Sequence, residues 1–233
     1  MGVSAILPIH NEATVLGRVL DCIGGQTQKP DQLVIVLDAC TDGSELIARG
    51  YPASLVVVDV RNTAAAVLAG VREASHEIMV LFDGNTLVPP DYLARLTQVH
   101  EETHADLVEW HGGMMLLPRA TLQRFGTPSM MHLWTLEYFL RIKSGGGRVV
   151  HLDGLHRRLK RSPLKRNVRY GLDYADLSER YHLAPFFRVG TKSGWIPDTF
   201  AIGGSVVGHL RAGRLRRSLM DLVHRSTAAN PFS

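Results

Sequence analysis

The sequence contains little cysteine and no long apolar run. Its 233 residues include two cysteines, Cys22 and Cys40, which lack the C-x-x-C spacing of a metal site. Two cysteines are also too few for a disulfide framework. The longest apolar runs, such as residues 33–37 and 55–58, have the length of a strand, whereas a helix that spans a bilayer needs roughly 20 residues. The composition therefore excludes a disulfide-stapled scaffold and predicts no transmembrane segment.

A secretory signal is also missing from the amino terminus. A signal peptide opens with basic residues and continues with an apolar core. Here residues 3–9 follow Met1-Gly2 directly and lead into the polar pair Asn11-Glu12. We therefore expect a cytoplasmic protein, for which a peripheral position at a membrane surface stays open.

No glycine-rich phosphate loop follows the first apolar segment. That segment ends in P-I-H-N-E at residues 8–12, which is neither a G-x-G-x-x-G nor a P-loop signature. Such loops allow the backbone to approach a phosphate group closely. Their absence argues against a dinucleotide-dependent dehydrogenase and against a P-loop phosphotransferase.

Charge is spread unevenly along the chain. The formal net charge is only +4, but residues 157–169 and 211–217 are both rich in lysine and arginine and contain no acid. Either run alone is typical of a solvated face. Together they favour an anionic partner, because clustered cations raise the local potential more than the net charge suggests. We interpret residues 157–233 as a basic C-terminal extension that acts as a lid or contacts the second substrate.

The first hundred residues alternate short apolar runs with longer amphipathic ones. This alternation is typical of a parallel sheet with crossover helices. The predicted strands cover residues 3–9, 32–37, 54–60, 77–82, 106–110, 114–117 and 148–152. The predicted helices start near residues 11, 42, 62 and 89, and further ones cover 119–125, 131–143 and 214–224. The sequence thus predicts a single α/β domain whose mostly parallel central sheet is flanked by helices.

Acidic residues follow several of the predicted strands. Glu12 follows the first, Asp38 and Asp42 follow the second, and Asp83 with Asn85 follows the fourth. The carboxyl ends of parallel strands form the edge where such sheets bind ligands. Carboxylates at one edge repel each other unless a cation lies among them, and Mg²⁺ or Mn²⁺ completed by substrate phosphates would supply it. Each acid is alternatively explained as a turn or cap residue.

Three ordered segments carry a resemblance to a known family. Residues 3–12 (VSAILPIHNE), 33–44 (LVIVLDACTDGS) and 77–93 (EIMVLFDGNTLVPPDYL) resemble the nucleotide-sugar half of family 2 glycosyltransferases, which have the GT-A fold. The resemblance covers residues 3–125 well and 126–156 loosely. It implies a GT-A core at residues 1–156, with 3–104 as the nucleotide-sugar half and 105–156 as the acceptor half.

The resemblance also implies roles for single residues of the donor site. Asp38 would bond to the nucleotide base, and Asn62 would lie near the ribose and diphosphate, although the glycine that relatives carry nearby is missing. The residues implied to line the nucleoside pocket are Pro8, His10 and Glu12.

A metal site is implied at Asp83-Gly84-Asn85, which stands where the family has its D-x-D motif. Asp83 would contact the ribose and a Mn²⁺ or Mg²⁺ ion that bridges the diphosphate. Asn85 offers a carbonyl oxygen without a charge, so a further ligand is expected, and His156 is the candidate, with His151 as its rival.

The acceptor half departs from the family pattern. Inverting relatives carry an E-D pair whose second acid deprotonates the acceptor, but this pair falls on Trp134-Thr135, and neither residue is a base. Glu137 is the candidate catalytic base, and Glu109 is the alternative. The glycine-containing segment 112–115 matches the strand that relatives place beneath the acceptor.

The resemblance implies a metal-dependent glycosyltransferase that moves a sugar from a UDP- or GDP-sugar to an acceptor hydroxyl with inversion. The acceptor stays open among a phosphate-bearing lipid, a nucleic acid and a protein. One alternative is a catalytically degenerate nucleotide-sugar-binding module, which Asn85 and Trp134-Thr135 motivate. Another is a sugar-phosphate nucleotidyltransferase, but such enzymes need a glycine- and arginine-rich loop after the first strand.

Overall fold

A computed structural model describes residues 2–111 and 113–160, together with residues 170, 172–174, 176–177 and 180–181. The predicted helix at 214–224 and the basic stretch at 211–217 lie outside these residues. The chain divides into two compact units. The first comprises Met1–Met130 and Trp134–Arg161, and the second comprises Met131–Leu133 and Ser162–Ser233.

The first unit contains a seven-stranded sheet with strand order β3-β2-β1-β4-β7-β6-β8 and a two-stranded sheet formed by β5 and β9. The strands are β1 Val3–Ile9, β2 Gln32–Asp38, β3 Ser54–Val58, β4 Ile78–Leu81, β5 Thr86–Leu87, β6 Leu107–His111, β7 Met114–Pro118, β8 Val149–His151 and β9 Arg157–Arg158. The helices are α1 Ala13–Gly24, α2 Ser44–Ala48, α3 Thr63–Glu73, α4 Tyr92–Thr103, α5 Arg119–Phe125 and α6 Trp134–Ser144.

Most strands of the large sheet run in one direction. Strands β3, β2, β1 and β4 pair in parallel, as do β6 and β8. Strand β7 is antiparallel to both β4 and β6, so β4 and β6 themselves point the same way. The predicted mostly parallel α/β sheet is confirmed, and the carboxyl ends of β1, β2, β3, β4, β6 and β8 meet at one edge.

Helices cover both faces of this sheet because its central strands are apolar on both faces. Along β1, Leu7 belongs to the apolar cluster that contains Leu16 and Leu20 of α1. Its neighbour Ile6 points the opposite way, into the cluster that contains Val67 of α3. Successive strand residues face opposite sides, so a strand buried on both sides reads as the unbroken apolar run seen in the sequence.

Several predicted boundaries differ from the structure by one to three residues, and two of these differences have a visible cause. The third strand ends at Val58 instead of residue 60, since the backbone N–H of Val60 donates to the Asp38 carboxylate instead of continuing the ladder. Helix α6 begins at Trp134, whereas the apolar pattern predicted a start at residue 131. The backbone N–H of Leu133 instead donates to the Asp173 carboxylate, at 2.9 Å, within the second unit.

Short strands β5 and β9 were not predicted. The sequence placed residues 83–86 in a turn and residues 157–158 in the extension, but Thr86 pairs with Arg158 and Leu87 with Arg157. This antiparallel pairing joins the beginning of the basic run to the first unit, which extends to Arg161.

The turns at the carboxyl edge adopt uncommon backbone conformations. Asn11, Ala39 and Arg61 follow β1, β2 and β3, and their φ angles are +56°, +48° and +47°. Non-glycine residues rarely adopt such values, and they persist where the surroundings hold them in place. The loops at this edge are therefore fixed by contacts with their neighbours.

The described part of the second unit is helical at residues 170, 172–174, 176–177 and 180, with Tyr174 and Leu177 buried. Burial raises the pKa of Tyr174 to about 12. Across the described residues of the chain, none of the helices has both the length and the apolar character needed to cross a membrane.

Helix α6 is anchored by an ion pair. Glu137 is buried, with 1% of its side chain exposed, and Arg141 Nη2 lies 2.6 Å from Glu137 Oε2. A second bond joins Arg141 Nε to Glu137 Oε1 at 2.9 Å. Arg141 Nη1 also donates to the carbonyl oxygen of Thr127, at 2.7 Å. The pair therefore ties the first turns of α6 to the segment that follows α5.

Gly70 provides a first stability test. A Cβ atom at this position of α3 would lie 2.5 Å from Ile6 Cγ2 and 3.0 Å from Val36 Cγ2. We expect Gly70→Ala to lower the free energy of unfolding by about 1–2 kcal/mol, because the overpacking cost of roughly 1–3 kcal/mol exceeds a helix-propensity gain of about 1 kcal/mol. Urea denaturation measures the change, and a stabilised variant would show that α3 can shift away from the sheet.

The Glu137–Arg141 pair provides a second test. Arg141→Met should lower the free energy of unfolding by about 3 kcal/mol, because it leaves a buried carboxylate without its cation. Combining it with Glu137→Leu should recover part of that loss, because an apolar pair of similar volume needs no counter-charge.

A matched control for this test is the exposed pair Glu45–Arg49, which has the same i,i+4 spacing. Arg49→Met should cost less than about 0.5 kcal/mol. Equal losses in the two arginine variants, measured by urea denaturation, would contradict a buried role for Glu137.

Candidate donor and acceptor site

The loops after β1 and β2 are bonded to each other. The backbone N–H of Thr41 donates to Asn11 Oδ1 at 2.8 Å, and the backbone N–H of Ala13 donates to Asp42 Oδ2 at 3.0 Å. The backbone N–H of Glu12 donates to Ser44 Oγ, at 2.9 Å. The first two resembling segments, distant in sequence, thus form one wall of the carboxyl edge.

These hydrogen bonds also lower the pKa of Asp42. Partial burial opposes the charge of Asp42, but hydrogen bonds from Ser44 and from the backbone of Ala13 outweigh it, so the pKa of Asp42 lies below its ordinary value. Burial raises the pKa of the Cys40 thiol. A protonated thiol is a weak nucleophile, so Cys40 does not have the character of a reactive cysteine.

The predicted nucleoside residues lie along this wall. Pro8 is half-buried within β1, and His10 is exposed directly after it. The ring Nδ1 of His10 lies 2.6 Å from the backbone oxygen of Asp38, which holds the two predicted residues side by side.

The buried Asp38 carboxylate organises the loop after β3. It accepts hydrogen bonds from the backbone N–H groups of Val60 and Arg61, both at 2.8 Å, and of Asn62 at 3.2 Å. Asn62 in turn caps α3 by accepting from Ala65 N at 3.0 Å. Asp38 therefore joins the ends of β2 and β3, and it lies beside Asn62.

The Asp83-Gly84-Asn85 turn packs against the end of β1. A Cβ atom at Gly84 would lie 2.6 Å from Ile9 Cγ2, so this position has room only for glycine. Asp83 accepts from the backbone N–H of Asn85 at 3.1 Å and from Thr86 Oγ1 at 3.2 Å. About a quarter of the Asp83 side chain stays exposed, so its carboxylate is available to a ligand at the edge.

Two cations from the beginning of the basic run lie beside these acids. Arg158 Nη2 is 3.4 Å from Asp83 Oδ2, and Lys160 Nζ is 2.7 Å from Glu12 Oε2. The backbone N–H of Leu159 donates to the backbone oxygen of Asn85 at 2.7 Å. Sequence reasoning did not assign either cation to the site. The available signal was the run itself, since acids gathered at one edge need positive partners.

The side chains near the D-G-N turn determine what kind of metal site this edge can form. Among the described residues, no cluster of three or more histidine, cysteine, aspartate or glutamate side chains has an arrangement that suits a metal ion. His156 is exposed, and its Nδ1 lies 3.4 Å from the Gly154 oxygen. The D-G-N turn offers one carboxylate and one amide oxygen, which fits Mg²⁺ held mainly by substrate phosphates and does not fit a site made of protein ligands alone.

The predicted base, Glu137, is buried in its bidentate pair with Arg141 and accepts from Ser129 N at 3.4 Å. A general base must come within hydrogen-bond reach of the acceptor hydroxyl, and these surroundings do not suit that role. Gly113 contacts the start of α6, since its Cβ would lie 3.2 Å from Thr135 Cγ2. Gly113 therefore lies against the first turn of α6.

Glu109 and His151, which sequence reasoning treated separately, form a pair. They are opposite each other on the parallel strands β6 and β8, and His151 Nδ1 lies 2.5 Å from Glu109 Oε2. The Phe139 ring of α6 packs edge-on against the imidazole at a centroid distance of 5.6 Å. No signal in the sequence could have paired two residues 42 positions apart.

Comparison with known proteins adds to this geometry. A curated relative is the undecaprenyl-phosphate 4-deoxy-4-formamido-L-arabinose transferase of Serratia proteamaculans, which is 27% identical over 110 residues. That match covers 43% of this chain and 34% of the relative, so the chain spans about a third of the length of that protein.

Two similar solved structures have the GT-A fold. One is glucosyl-3-phosphoglycerate synthase of Mycobacterium tuberculosis in complex with Mn²⁺, UDP and glucosyl-3-phosphoglycerate, with a TM-score of 0.68 and 17% identity over 78% of this chain and 80% of that one. The other is a mannosyltransferase of Pyrobaculum calidifontis in complex with GDP-Man and Mn²⁺, with a TM-score of 0.68 and 20% identity over 98% of this chain and 76% of that one.

The predicted GT-A fold is confirmed by these likenesses. The family model for "Glycosyl transferase family 2" matches residues 4–166, which is more than half of the chain. The chain belongs to glycosyl transferase family 2.

Proposed function

We propose that this chain is a glycosyltransferase that takes a UDP- or GDP-sugar as donor and transfers the sugar to an acceptor hydroxyl with inversion. The observation that carries the proposal is the arrangement at the carboxyl edge, where the D-G-N turn packs on the end of β1. Arg158 and Lys160 lie beside the acids there. A nucleoside diphosphate needs polar groups for its base and ribose and positive charge for its phosphates, and this edge offers both.

The nucleoside would lie along the ends of β1 and β2. Pro8, His10 and Glu12 would line its pocket, Asp38 would bond to the base, and Asn62 and Asp83 would lie near the ribose. Asp38 already accepts three backbone N–H groups, but a carboxylate has about four acceptor sites. One site is therefore left for a donor group of the base.

The diphosphate would lie beside the D-G-N turn. Arg158 and Lys160 are both held there by β9 and its neighbours. Guanidinium and ammonium groups form charge-assisted hydrogen bonds with phosphate oxygens. The incoming diphosphate would exchange the present ion pairs for stronger ones.

A divalent ion, Mn²⁺ or Mg²⁺, would be held by Asp83 and Asn85 together with the donor phosphates, and His156 is proposed as a further ligand. Such an ion neutralises charge that develops on the leaving diphosphate. Solved relatives contain Mn²⁺ or Mg²⁺ with UDP, which supports this assignment.

For the acceptor we propose a phosphate-bearing lipid. The basic run that begins at Arg157 suits a phosphate group, and the curated relative is named for undecaprenyl phosphate. A nucleic acid or a protein as acceptor is distinguished by direct assay of sugar transfer to each class. A cytoplasmic location at a membrane surface agrees with this proposal.

A second candidate is a module that binds nucleotide sugars without transferring them. It is favoured by the uncharged Asn85 and by the absence of an acid at Trp134-Thr135. Nucleotide release from a bound nucleotide sugar separates the two, since a binding module does not turn over.

The donor site is tested by calorimetric titration of UDP, GDP, UDP-glucose and GDP-mannose in the presence of Mn²⁺. Asp83→Ala should weaken binding of the preferred nucleotide sugar at least tenfold, because it removes the carboxylate that faces the diphosphate and metal. The matched control is Asp91→Ala, an exposed acid at the start of α4, which should leave the Kd within twofold of wild type. Folded wild-type protein that binds none of the four compounds would refute the proposed function.

A further inference from the structure

One polar pair in the acceptor half has the arrangement of a base and its orienting group. Glu109 Oε2 lies 2.5 Å from His151 Nδ1. A carboxylate that accepts from Nδ1 fixes the imidazole tautomer and leaves Nε2 as the proton acceptor. The imidazole is about one-third exposed, and among the described residues no hydrogen bond to its Nε2 is found.

Three other acids near the carboxyl edge are engaged with partners. Glu137 is buried against Arg141, and Glu12 lies against Lys160. Asp38 accepts three backbone N–H groups. None of these carboxylates combines exposure with an unengaged proton-accepting atom, whereas His151 does.

The pair also lies close to the place where relatives carry their base. Thr135 occupies that place at the start of α6, and its side chain meets Gly113. Phe139, one turn further along α6, packs against the His151 ring. Residues 135 and 139 are about one helical turn apart on α6, so the imidazole contacts the turn that follows the position of the lost acid.

The register of the sheet places Glu109 at the same height as the end of β4, the strand that leads into the proposed donor site. Glu109 is opposite Met115 of β7, and Met115 is opposite Leu81 of β4. Asp83 follows Leu81 by two residues at the carboxyl edge. His151 on β8 therefore lies across the acceptor half from the proposed diphosphate position.

We propose that His151 is the general base of the transfer and that Glu109 is its positioning residue. The proposal rests on the proposed function. In the step, the acceptor hydroxyl oxygen bonds to the anomeric carbon, and the bond from that carbon to the diphosphate oxygen breaks. The electron pair leaves with the diphosphate, and the hydroxyl proton passes to Nε2 of His151. The Glu109 carboxylate stabilises the imidazolium that forms.

Water can stand in for the unknown acceptor, because hydrolysis of the nucleotide sugar moves the same proton. The assay measures nucleotide release from whichever of UDP-glucose, UDP-N-acetylglucosamine or GDP-mannose the protein binds, with the Kd measured separately. His151→Gln should lower kcat at least 100-fold, as expected for loss of a general base, and should leave the donor Kd within twofold. Added imidazole should restore turnover to His151→Ala.

The role of Glu109 is tested by a measurement that a purely structural role would leave unchanged, the pH dependence of kcat. Among the described residues, Glu109 from β6 forms an ion pair with the imidazole and Phe139 from α6 packs against it, so Glu109 is the charged partner of the two. Glu109→Gln should lower kcat about tenfold and move the acid limb of the pH–rate profile to lower pH, because a neutral amide no longer stabilises the protonated ring. Glu109→Asp, which restores the charge, should return the limb toward that of wild type.

The matched control is His100→Gln. His100 is a half-buried histidine on α4 whose Nδ1 meets the Ala105 oxygen at 3.0 Å, at the opposite edge of the sheet. It should leave kcat within threefold of wild type.

The possible results separate the two proposals. A protein that binds no nucleotide sugar overturns the proposed function and this assignment with it. A protein that binds donor but releases no nucleotide acts as the binding module, which overturns the transfer reaction and, with it, the base assignment. A kcat for His151→Gln within threefold of wild type, or a loss matched by weaker donor binding, also overturns it.

Discussion

The neutralisation of carboxylates at one sheet edge is the constraint on which this structure depends. Parallel strands bring their carboxyl ends together, and here those ends carry Glu12, Asp38 and Asp83. Like charges so placed repel unless each has a partner. Asp38 is satisfied by backbone N–H groups, Glu12 by Lys160 and Asp83 by Arg158. Each partner is also a structural connection, because it fixes a loop or a strand at the edge.

This constraint explains why the basic run does not begin as a free extension. Arg157 and Arg158 pair with β5 directly after the D-G-N turn. Arg158 and Lys160 contact acids of two different loops, Asp83 after β4 and Glu12 after β1. A donor diphosphate would meet positive charge already in place, so little ordering of long side chains would be required when it binds. Arginine and lysine otherwise lose considerable rotamer freedom when they bind a ligand.

The sequence predicted the fold well where local pattern decides structure, and less well elsewhere. Strand β1 is buried on both faces and reads as an apolar run, so its bounds were predicted correctly as Val3–Ile9. Strands β5 and β9 are two residues long and exist only because they pair across 72 positions, which no local pattern reveals. For the same reason, no local pattern could predict the Arg158–Asp83, Lys160–Glu12 and Glu109–His151 contacts. The burial of Glu137 could not be predicted either, because the sequence does not distinguish a buried glutamate on a helix from an exposed one.

The departures from the family pattern in the acceptor half are linked to each other. With Trp134-Thr135 at the start of α6, the first turn is apolar enough for Trp134 to be buried with Tyr138 and Phe139. An acid in place of Trp134 would have to remain ionised against this apolar surface without a cation such as Arg141, which Glu137 has beside it, and burial disfavours that. Phe139 instead packs against the His151 imidazole, and β8 presents that ring beside Glu109. A base on a strand, held by a carboxylate on the neighbouring strand, depends on the register of β6 and β8 and not on the helix. Loss of the acid pair from α6 is therefore compatible with a working acceptor site.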